Sequence, residues 1–561
     1  MRRLFLILIL TLLFTPALAM SPVHVTVLGA SEAGGTYHGV GADLYVEVEE
    51  GRGRVFVDTM PLTEIDTQAS ARLAKEVACE TLSRDCSDLD FFYIIRSESS
   101  MVGGPSAGAA MTSATIAAIQ GVQLDQSVAV TGTINPSGSI GPVGTVEEKI
   151  RAAKLSNISM VLIPDHYSSQ INQNMFDGVA IAKVRDIYEV YELMSGYKIE
   201  KEKITTGDIS PDKYDEVMKY LAEGLLEQST NKLQEAEEEF DLSTSSQSNL
   251  DKIEGDITTS ENELDIAEEL YNESQFYSSS SYSVRSYIYS TYAMNQLKYY
   301  ENSSFLSDEI NKTEKEIDYF EEKYLGKKVD SLTDLEVFAV VIDRMGEAKN
   351  LLNSSKNAYE TGDIDTAIYM LSYTQMRKNT AYEWLTLINK FTGGNPSEFN
   401  QAKLKELSRE RIEQARVSIL YAETVTYNNI LLSSRQKLEN AIEAYSNKQY
   451  VFSLFEASKS ISEATLAMEV RGLTNNSMNN LWDILEVDAR TAIHKSQEQG
   501  LLPILALSYL EYSETLKEND ELESLIYLSY SKGMAKISED LARALGDDII
   551  AKQKVRILRS E

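Results

Sequence analysis

Alternation of hydrophobic and polar residues marks the first third of the chain as a mixture of strands and helices. The strand patterns lie at 23–28, 42–49, 91–95, 128–130 and 160–163. Apolar residues at helical spacing predict helices over 66–82, 109–119 and 145–155. Gly51-Arg52-Gly53 predicts a hairpin turn, from which 54–58 returns as a further strand. The mixed order of elements predicts an α+β or α/β domain that ends near Gly196, and we expect α+β.

The rest of the chain reads as long helices, because residues that break helices become scarce. Seventeen of the 29 glycines and seven of the ten prolines precede residue 200. Three stretches, 359–373, 445–458 and 512–530, each combine a Tyr-bearing helix, a short polar turn and a second helix. The stretch 277–292 has a similar composition without a clear turn. The pattern predicts helical hairpins of a bundle or an irregular solenoid.

This change of pattern predicts the organisation of the chain into domains. We expect an α+β domain over 20–197, a linker over 198–211 and an all-helical region over 212–561 with two or more bundles. Eight tyrosines lie between Tyr271 and Tyr300. They could form a binding surface, but their near-helical spacing favours a core between helices.

The N-terminus has the pattern of a secretory signal peptide. A basic head, Met1 to Arg3, precedes an apolar run from Leu4 to Phe14, and Ala17-Leu18-Ala19 offers a cleavage site. The alternative is an uncleaved anchor that would associate the protein with a membrane; the run is short for a span of about 20 residues. Residues 1–19 therefore predict an extracytoplasmic protein, either secreted or anchored at the outer face of the membrane.

The charge, the cysteines and the histidines of the chain indicate which ligands and cross-links to expect. The net charge of −33 repels phosphate backbones and argues against nucleic-acid binding. In an oxidising compartment Cys79 and Cys86 are candidates for a disulfide, although two unlinked thiols stay an alternative. None of the four histidines has a cysteine or histidine at ligand spacing, so we predict no metal site and no cofactor.

Candidate chemistry lies in the segment from Gly103 to Gly108, which precedes the helix predicted at 109–119. Ser106 would sit at a helix N-terminus, where backbone amides suit a developing oxyanion; the alternative is an N-cap serine in a turn. No histidine is placed to act as its base. A buried lysine can serve, and Lys149 follows Gly141-Pro142-Val143-Gly144 on a predicted helix. The alternative is a surface lysine beside Glu147 and Glu148.

The stretch from Gly104 to Pro164 resembles the proteolytic domain of the Lon family of serine proteases. The matching motifs are Gly104-Pro105-Ser106-Ala107-Gly108, Val130-Thr131-Gly132, Gly138 to Gly144 with Glu148-Lys149, and Val161 to Pro164. The first three of these motifs, in the family's spacing, are more specific together than any one of them. The resemblance covers about a third of the chain and leaves the helical region unexplained.

The resemblance implies a role for each matching residue. Ser106 would be the nucleophile, Lys149 the general base and Thr131 the residue that orients the lysine. The backbone of the loop that includes Gly103, Gly104 and Ala107 would form the oxyanion hole. Two positions depart from the family: Gly103 stands where many members have an acidic residue, and Thr133 stands where many have Glu. Both nucleophile and base are retained.

The function implied is an ATP-independent serine endopeptidase with a Ser-Lys dyad, similar to stand-alone exported archaeal Lon-like proteases. The sequence has no Gly-x4-Gly-Lys-Ser/Thr loop of the kind that typical Lon ATPase domains carry. Its substrates would be peptides or unfolded proteins, and the helical region would capture them or build a homo-oligomer. The alternatives are a catalytically silent Lon-like scaffold whose helices mediate protein–protein interaction, and a protein that cleaves only itself.

Overall fold

The chain divides into two compact units in the computed structural model. The first comprises residues 1–201 with 420–426, and the second comprises 202–419 with 427–561. The structure describes residues 22–33, 35–60, 65–97, 103–165, 176, 178–200, 209, 212–324, 332–388, 400–471 and 475–545. The predicted signal segment 1–19 lies outside these residues. Within them, no helix combines the length and the apolar character needed to cross a bilayer.

A four-stranded sheet forms one layer of the first unit. Its strands are β1 (Val23–Ala33), β2 (Thr36–Glu50), β3 (Val55–Met60) and β4 (Leu89–Ser97), in the spatial order β1-β2-β4-β3. β2 pairs antiparallel with β1 and β4, and β3 pairs parallel with β4. The register aligns Val25, Leu44 and Ile95 in one row, and all three are buried. Alternation along these strands follows from this one-sided burial.

The predicted hairpin at Gly51-Arg52-Gly53 is wrong, because β4 lies between β2 and β3. β4 contributes the most apolar row of the sheet and takes the central place, with Phe91 and Tyr93 fully buried. The connection is held by the buried Asp90 carboxylate. It accepts hydrogen bonds from the backbone amides of Arg52 and Arg54 at 2.8 and 2.9 Å and from the Arg54 guanidinium.

The second layer carries the predicted chemistry. It consists of the parallel sheet β5 (Val128–Val130), β8 (Met160–Pro164) and β9 (Ala180–Val184) and the antiparallel pair β6 (Thr133–Ile134) and β7 (Ile140–Gly141). The helices of the unit are α1 (Ile65–Thr81), α2 (Gly108–Gln120), α3 (Val146–Leu155) and α4 (Ile187–Ser195). The three helices predicted from periodicity are confirmed to within two residues, whereas β6, β7, β9 and α4 were not predicted.

Helices α2 and α3 pack on opposite faces of β5. Val128 and Val130 share a core with the buried face of α2. Ala129 shares a second core with Val146 and Ile150 of α3. Because side chains alternate between the faces of a strand, residues 129 and 131 face α3.

The second unit is helical throughout its described residues, as predicted. Its helices are α5 (Asp212–Leu242), α6 (Gln247–Asn272), α7 (Phe276–Glu301), α8 (Phe305–Tyr324), α9 (Leu332–Thr361), α10 (Ile364–Leu387), α11 (Gln401–Val425), α12 (Asn429–Ser446), α13 (Tyr450–Glu469), α14 (Asn475–Glu498), α15 (Ile504–Leu516) and α16 (Glu521–Leu545). The end of α11, from Leu420, belongs to the first unit.

Helical hairpins recur in the second unit with one packing pattern. In three of them a buried serine donates to an alanine carbonyl twelve residues away in the partner helix. The pairs are Ser279 to Ala267, Ser355 to Ala367 and Ser453 to Ala441, at 2.7–2.8 Å. The turns contain a residue at positive φ, namely Ser274, Gly362 and Lys448. The predicted stretch 277–292 lies within one helix, α7, because its turn precedes it at 273–275.

The tyrosines of α6 and α7 form core rather than an exposed surface. Tyr277, Tyr282, Tyr287 and Tyr292 are buried, and the other four between Tyr271 and Tyr300 are half-buried. Tyr277 makes edge-on ring contacts with Tyr509 and Tyr512. Aromatic pairs of this kind contribute roughly 0.5–1.5 kcal/mol beyond their buried area. The prediction of a helix–helix core is therefore confirmed.

Candidate active site

The nucleophile loop connects the end of β4 to α2. Gly104 has φ +95°, Pro105–Ala107 form a single 3-10 turn, and α2 begins at Gly108. Ser106 is half-buried on this turn, and Ala107 is the N-cap residue of α2. The positive end of the α2 dipole lies near this turn and favours negative charge there.

Two backbone hydrogen bonds join this loop to the segment after β5. Gly132 N–H donates to the Ser106 carbonyl at 3.0 Å, and Ala109 N–H donates to the Gly132 carbonyl at 3.1 Å. A side chain at Gly132 would meet Ile140 Cγ2 at 2.3 Å. The small residue thus allows the loop and the end of β5 to approach closely, which places Thr131 beside the nucleophile loop.

Lys149 lies in α3 with its side chain turned into the protein. The residue is 4% exposed, and burial lowers the pKa of its amine to about 8. The neighbouring residues Val146 and Ile150 are buried against β5 and β8. α3 begins after Thr145, which has φ +53° in the left-handed region, an uncommon conformation for a threonine that clusters at functional sites.

Thr131 faces the helix that bears Lys149. Its amide donates to the Leu162 carbonyl at 3.0 Å, which extends the β5–β8 pairing by one residue. Its side chain follows Ala129 on the α3 face of the strand. The Oγ1 atom is fully buried and has no hydrogen-bond partner among the described residues. A buried hydroxyl without a partner costs about 1–3 kcal/mol, so it is available to a lysine amine.

Strand β2 sets the position of α3. Gly39 lies so close to α3 that a Cβ there would be 1.9 Å from the Glu148 carbonyl oxygen. Glu148 directly precedes Lys149 in the helix. The backbone of α3 therefore rests on β2 with no room for a side chain between them.

Sequence reasoning missed two residues near the nucleophile loop. Asp66, in the first turn of α1, accepts a hydrogen bond from Gly104 N–H at 2.8 Å. Tyr421 is fully buried in the first unit, and its hydroxyl accepts a hydrogen bond from Ile134 N–H at 3.2 Å. An acidic residue at a helix start was visible in the sequence, but no local pattern connects it to a loop 38 residues away.

The remaining predicted positions lie at the edge of this arrangement. Gly103 is exposed, and it has no side chain to contribute. Thr133 is buried in β6, and its Oγ1 has no hydrogen-bond partner within the described ranges. Cys79 and Cys86 are joined by a disulfide with a Cα–Cα distance of 6.2 Å.

One group of carboxylates in the second unit is close enough to share a cation: Asp343, Glu347 and Glu456. The Lys459 amine lies 3.1–3.3 Å from an oxygen of each of them. The Lys459 ammonium thus already balances part of the negative charge of these three carboxylates.

Comparison with known proteins bears directly on the segment that contains Ser106, Thr131 and Lys149. Residues 67–195 match the Lon protease (S16) C-terminal proteolytic domain. This segment is similar to a Lon-type proteolytic domain. The match includes all three predicted catalytic positions, and it ends before the helical region begins.

Lon proteases from bacteria and archaea are similar to part of the chain. Lon protease 2 of Bacillus subtilis (strain 168) is 38% identical over 91 residues, which is 16% of this chain and 16% of the relative. Archaeal Lon protease of Thermoplasma acidophilum is 28% identical over 186 residues, 32% of this chain and 28% of the relative. Archaeal Lon protease of Methanocaldococcus jannaschii is 35% identical over 133 residues, which is 23% of this chain and 20% of the relative. The alignments thus span less than a third of these relatives.

Proposed function

We propose that this protein is a serine endopeptidase that hydrolyses peptide bonds through a Ser106–Lys149 dyad. The observation that carries the proposal is the burial of Lys149 on the face of α3 that covers Thr131, within a segment that matches a Lon proteolytic domain. A lysine in water is a poor base at neutral pH because it is almost fully protonated. Burial lowers the pKa to about 8 and so makes the neutral amine accessible.

The chemistry would proceed in two stages. The neutral Lys149 amine takes the Ser106 hydroxyl proton while Oγ attacks the substrate carbonyl, and backbone amides of the loop around Ser106 stabilise the oxyanion. The leaving amine takes the proton from Lys149, which leaves an acyl-enzyme. Water then attacks the ester, with the same lysine as base, and releases Ser106. Thr131 Oγ1 would hold the lysine amine toward the serine in both stages.

A dye-labelled unfolded protein and a fluorogenic peptide test this proposal. We expect turnover by the wild type and background rates for Ser106→Ala and Lys149→Met, with unchanged unfolding midpoints. Equal rates in the wild type and Ser106→Ala would identify a catalytically silent scaffold instead. Processing of the wild-type chain without turnover of added substrate would indicate self-cleavage only.

We further propose that the reaction needs no ATP and takes place outside the cytoplasm. The disulfide between Cys79 and Cys86 supports an oxidising compartment. The peptidase assay should give the same rate with Mg-ATP and after treatment with apyrase. Protein purified from its source cells should begin near residue 20, and non-reducing peptide mapping should recover the Cys79–Cys86 peptide pair. An ATP requirement, or reduced thiols in the cellular protein, would contradict these two parts.

A further inference from the structure

We infer that Asp66 is a positioning residue for the nucleophile, acting through the backbone of Gly104; this inference rests on the proposed peptidase function. Asp66 Oδ2 accepts a hydrogen bond from Gly104 N–H at 2.8 Å. Gly104 lies two residues before Ser106. The carboxylate therefore acts on the loop without touching the reacting atoms.

The nucleophile loop needs a support on the side where Asp66 lies. Beyond Ser106 it is held by the hydrogen bond from Gly132 N–H and by the start of α2. Before Ser106, Gly103 is exposed, and a Cβ built on Gly104 would find no atom within 4 Å. Neither glycine has a side chain that could pack against its surroundings. The hydrogen bond to Asp66 holds this end, because it fixes the orientation of the peptide plane between Gly103 and Gly104.

A carboxylate suits this role better than a neutral acceptor placed by chance. Hydrogen bonds from an amide to an ionised carboxylate are roughly twice as strong as neutral ones. Asp66 lies in the first turn of α1, where the helix dipole favours negative charge. Its charge also reaches the buried Tyr421 hydroxyl, whose pKa is raised mainly by burial and further by Asp66. Asp66 thus places a half-buried carboxylate beside the loop.

Asp66 supplies a carboxylate to a loop that lacks the acidic side chain many Lon proteases have at the position of Gly103. The position three residues before Ser106 has no side chain, yet a carboxylate reaches the adjacent amide from a different helix. The loop therefore has an acidic partner that its own sequence does not contain. Nucleophile placement matters because a displacement of about 1 Å can reduce the rate on the order of 100-fold.

The test compares Asp66→Ala with Asp66→Asn in the full chain. Alanine removes the acceptor, so we expect kcat to fall by about 10- to 100-fold while KM changes less than about twofold. Asparagine keeps an oxygen for Gly104 N–H, so it should retain kcat within about fivefold. Glu76→Ala, on the same helix at an exposed position, is the matched control and should leave kcat unchanged.

Hydrogen–deuterium exchange of the peptide that contains Gly104 supplies a readout that does not depend on activity. We expect one amide to exchange faster in Asp66→Ala than in the wild type, and near wild-type exchange in Asp66→Asn. Wild-type exchange or wild-type kcat in Asp66→Ala would overturn the inference while the peptidase proposal stands. Equal loss in both variants with a lowered unfolding midpoint would overturn it as well. A wild type no faster than Ser106→Ala would remove the peptidase proposal and this role together.

Discussion

Substitution of Gly39 by alanine should disable the proposed peptidase, although strand β2, which contains Gly39, contributes no catalytic group. The added Cβ would lie 1.9 Å from the Glu148 carbonyl oxygen, 2.7 Å from its carbonyl carbon and 2.9 Å from Ala152 Cβ. The first two are backbone atoms of α3, which cannot rotate away. The helix must therefore retreat from β2 by at least about 1.1 Å to restore even a 3.0 Å contact.

The expected loss of rate follows from the position of Glu148, which directly precedes the proposed base Lys149. A displacement of about 1 Å in a catalytic group can cost on the order of 100-fold in rate, which corresponds to about 2.7 kcal/mol in activation free energy. We therefore expect kcat/KM of Gly39→Ala to fall by about 100-fold. The two-sided packing of α3 should keep the first unit folded, so far-ultraviolet circular dichroism should stay close to the wild type.

Gly41→Ala is the matched control, on the same strand and the same face two residues away. Its Cβ would meet Ser156 Oγ at 2.6 Å, but this atom ends a short side chain that can rotate, and the next neighbours lie at 3.7 and 3.8 Å. We expect its kcat/KM to stay within about threefold of the wild type. Equal activity in the two variants, with Gly39→Ala folded, would refute the argument that β2 fixes the position of the base.

Three other predictions concern protonation and stability. Because Lys149 must be neutral to accept the Ser106 proton, kcat/KM should rise about tenfold per pH unit and level off above about pH 8. Burial raises the pKa of Glu511 to about 7, so the stability it contributes is present below about pH 4.5 and is lost as pH rises through 7. Glu511→Gln should therefore remove about 3 kcal/mol of pH dependence from the unfolding free energy of the second unit. Replacement of Cys79 and Cys86 by serine should lower the unfolding free energy of the first unit by about 2 kcal/mol, as expected for a short loop.

Each of these predictions has a control and a contrary outcome. A plateau reached only near pH 10.5 would show that Lys149 titrates as an exposed amine. For Glu511, the exposed Glu518→Gln serves as control, and fluorescence of Trp384 and Trp482 reports unfolding of the second unit. An unchanged pH profile in Glu511→Gln would contradict the assignment. The cysteine variant should match the wild type in the presence of dithiothreitol, and a difference that persists there would exclude loss of the disulfide as the cause.

Patterns of hydrophobic and polar residues predicted the positions of single strands and helices. The strands 128–130 and 160–163 and the helix 145–155 were predictable because buried faces impose a period on the sequence. The order of strands in the sheet was not predictable from these patterns. The position of β4 between β2 and β3 depends on contacts between side chains of different strands. The hairpin predicted at Gly51-Arg52-Gly53 failed for this reason: the turn residues are present, but Asp90 from β4 binds the chain that leaves the turn.

In the candidate site, too, the residues in local motifs were predictable and those brought in by long-range contacts were not. Ser106, Thr131 and Lys149 were identified from motifs that lie in order along one segment. Asp66 and Tyr421 were not, since each meets the site across a long separation in sequence and neither belongs to a recurring local pattern. The left-handed conformation of Thr145 was equally invisible, because threonine gives no signal for positive φ.

The inclusion of residues 420–426 in the first unit has a consequence for its biosynthesis. The Ile134 amide finds its acceptor in the Tyr421 hydroxyl, and Ala422 is fully buried. A ribosome releases the chain from its N-terminus, so the first unit emerges complete in every element except this one. The Ile134 amide then lacks its Tyr421 acceptor while the long helices are still being synthesised. The proposed peptidase would become active only after most of the polypeptide has been made, so the growing chain would not be cleaved by it.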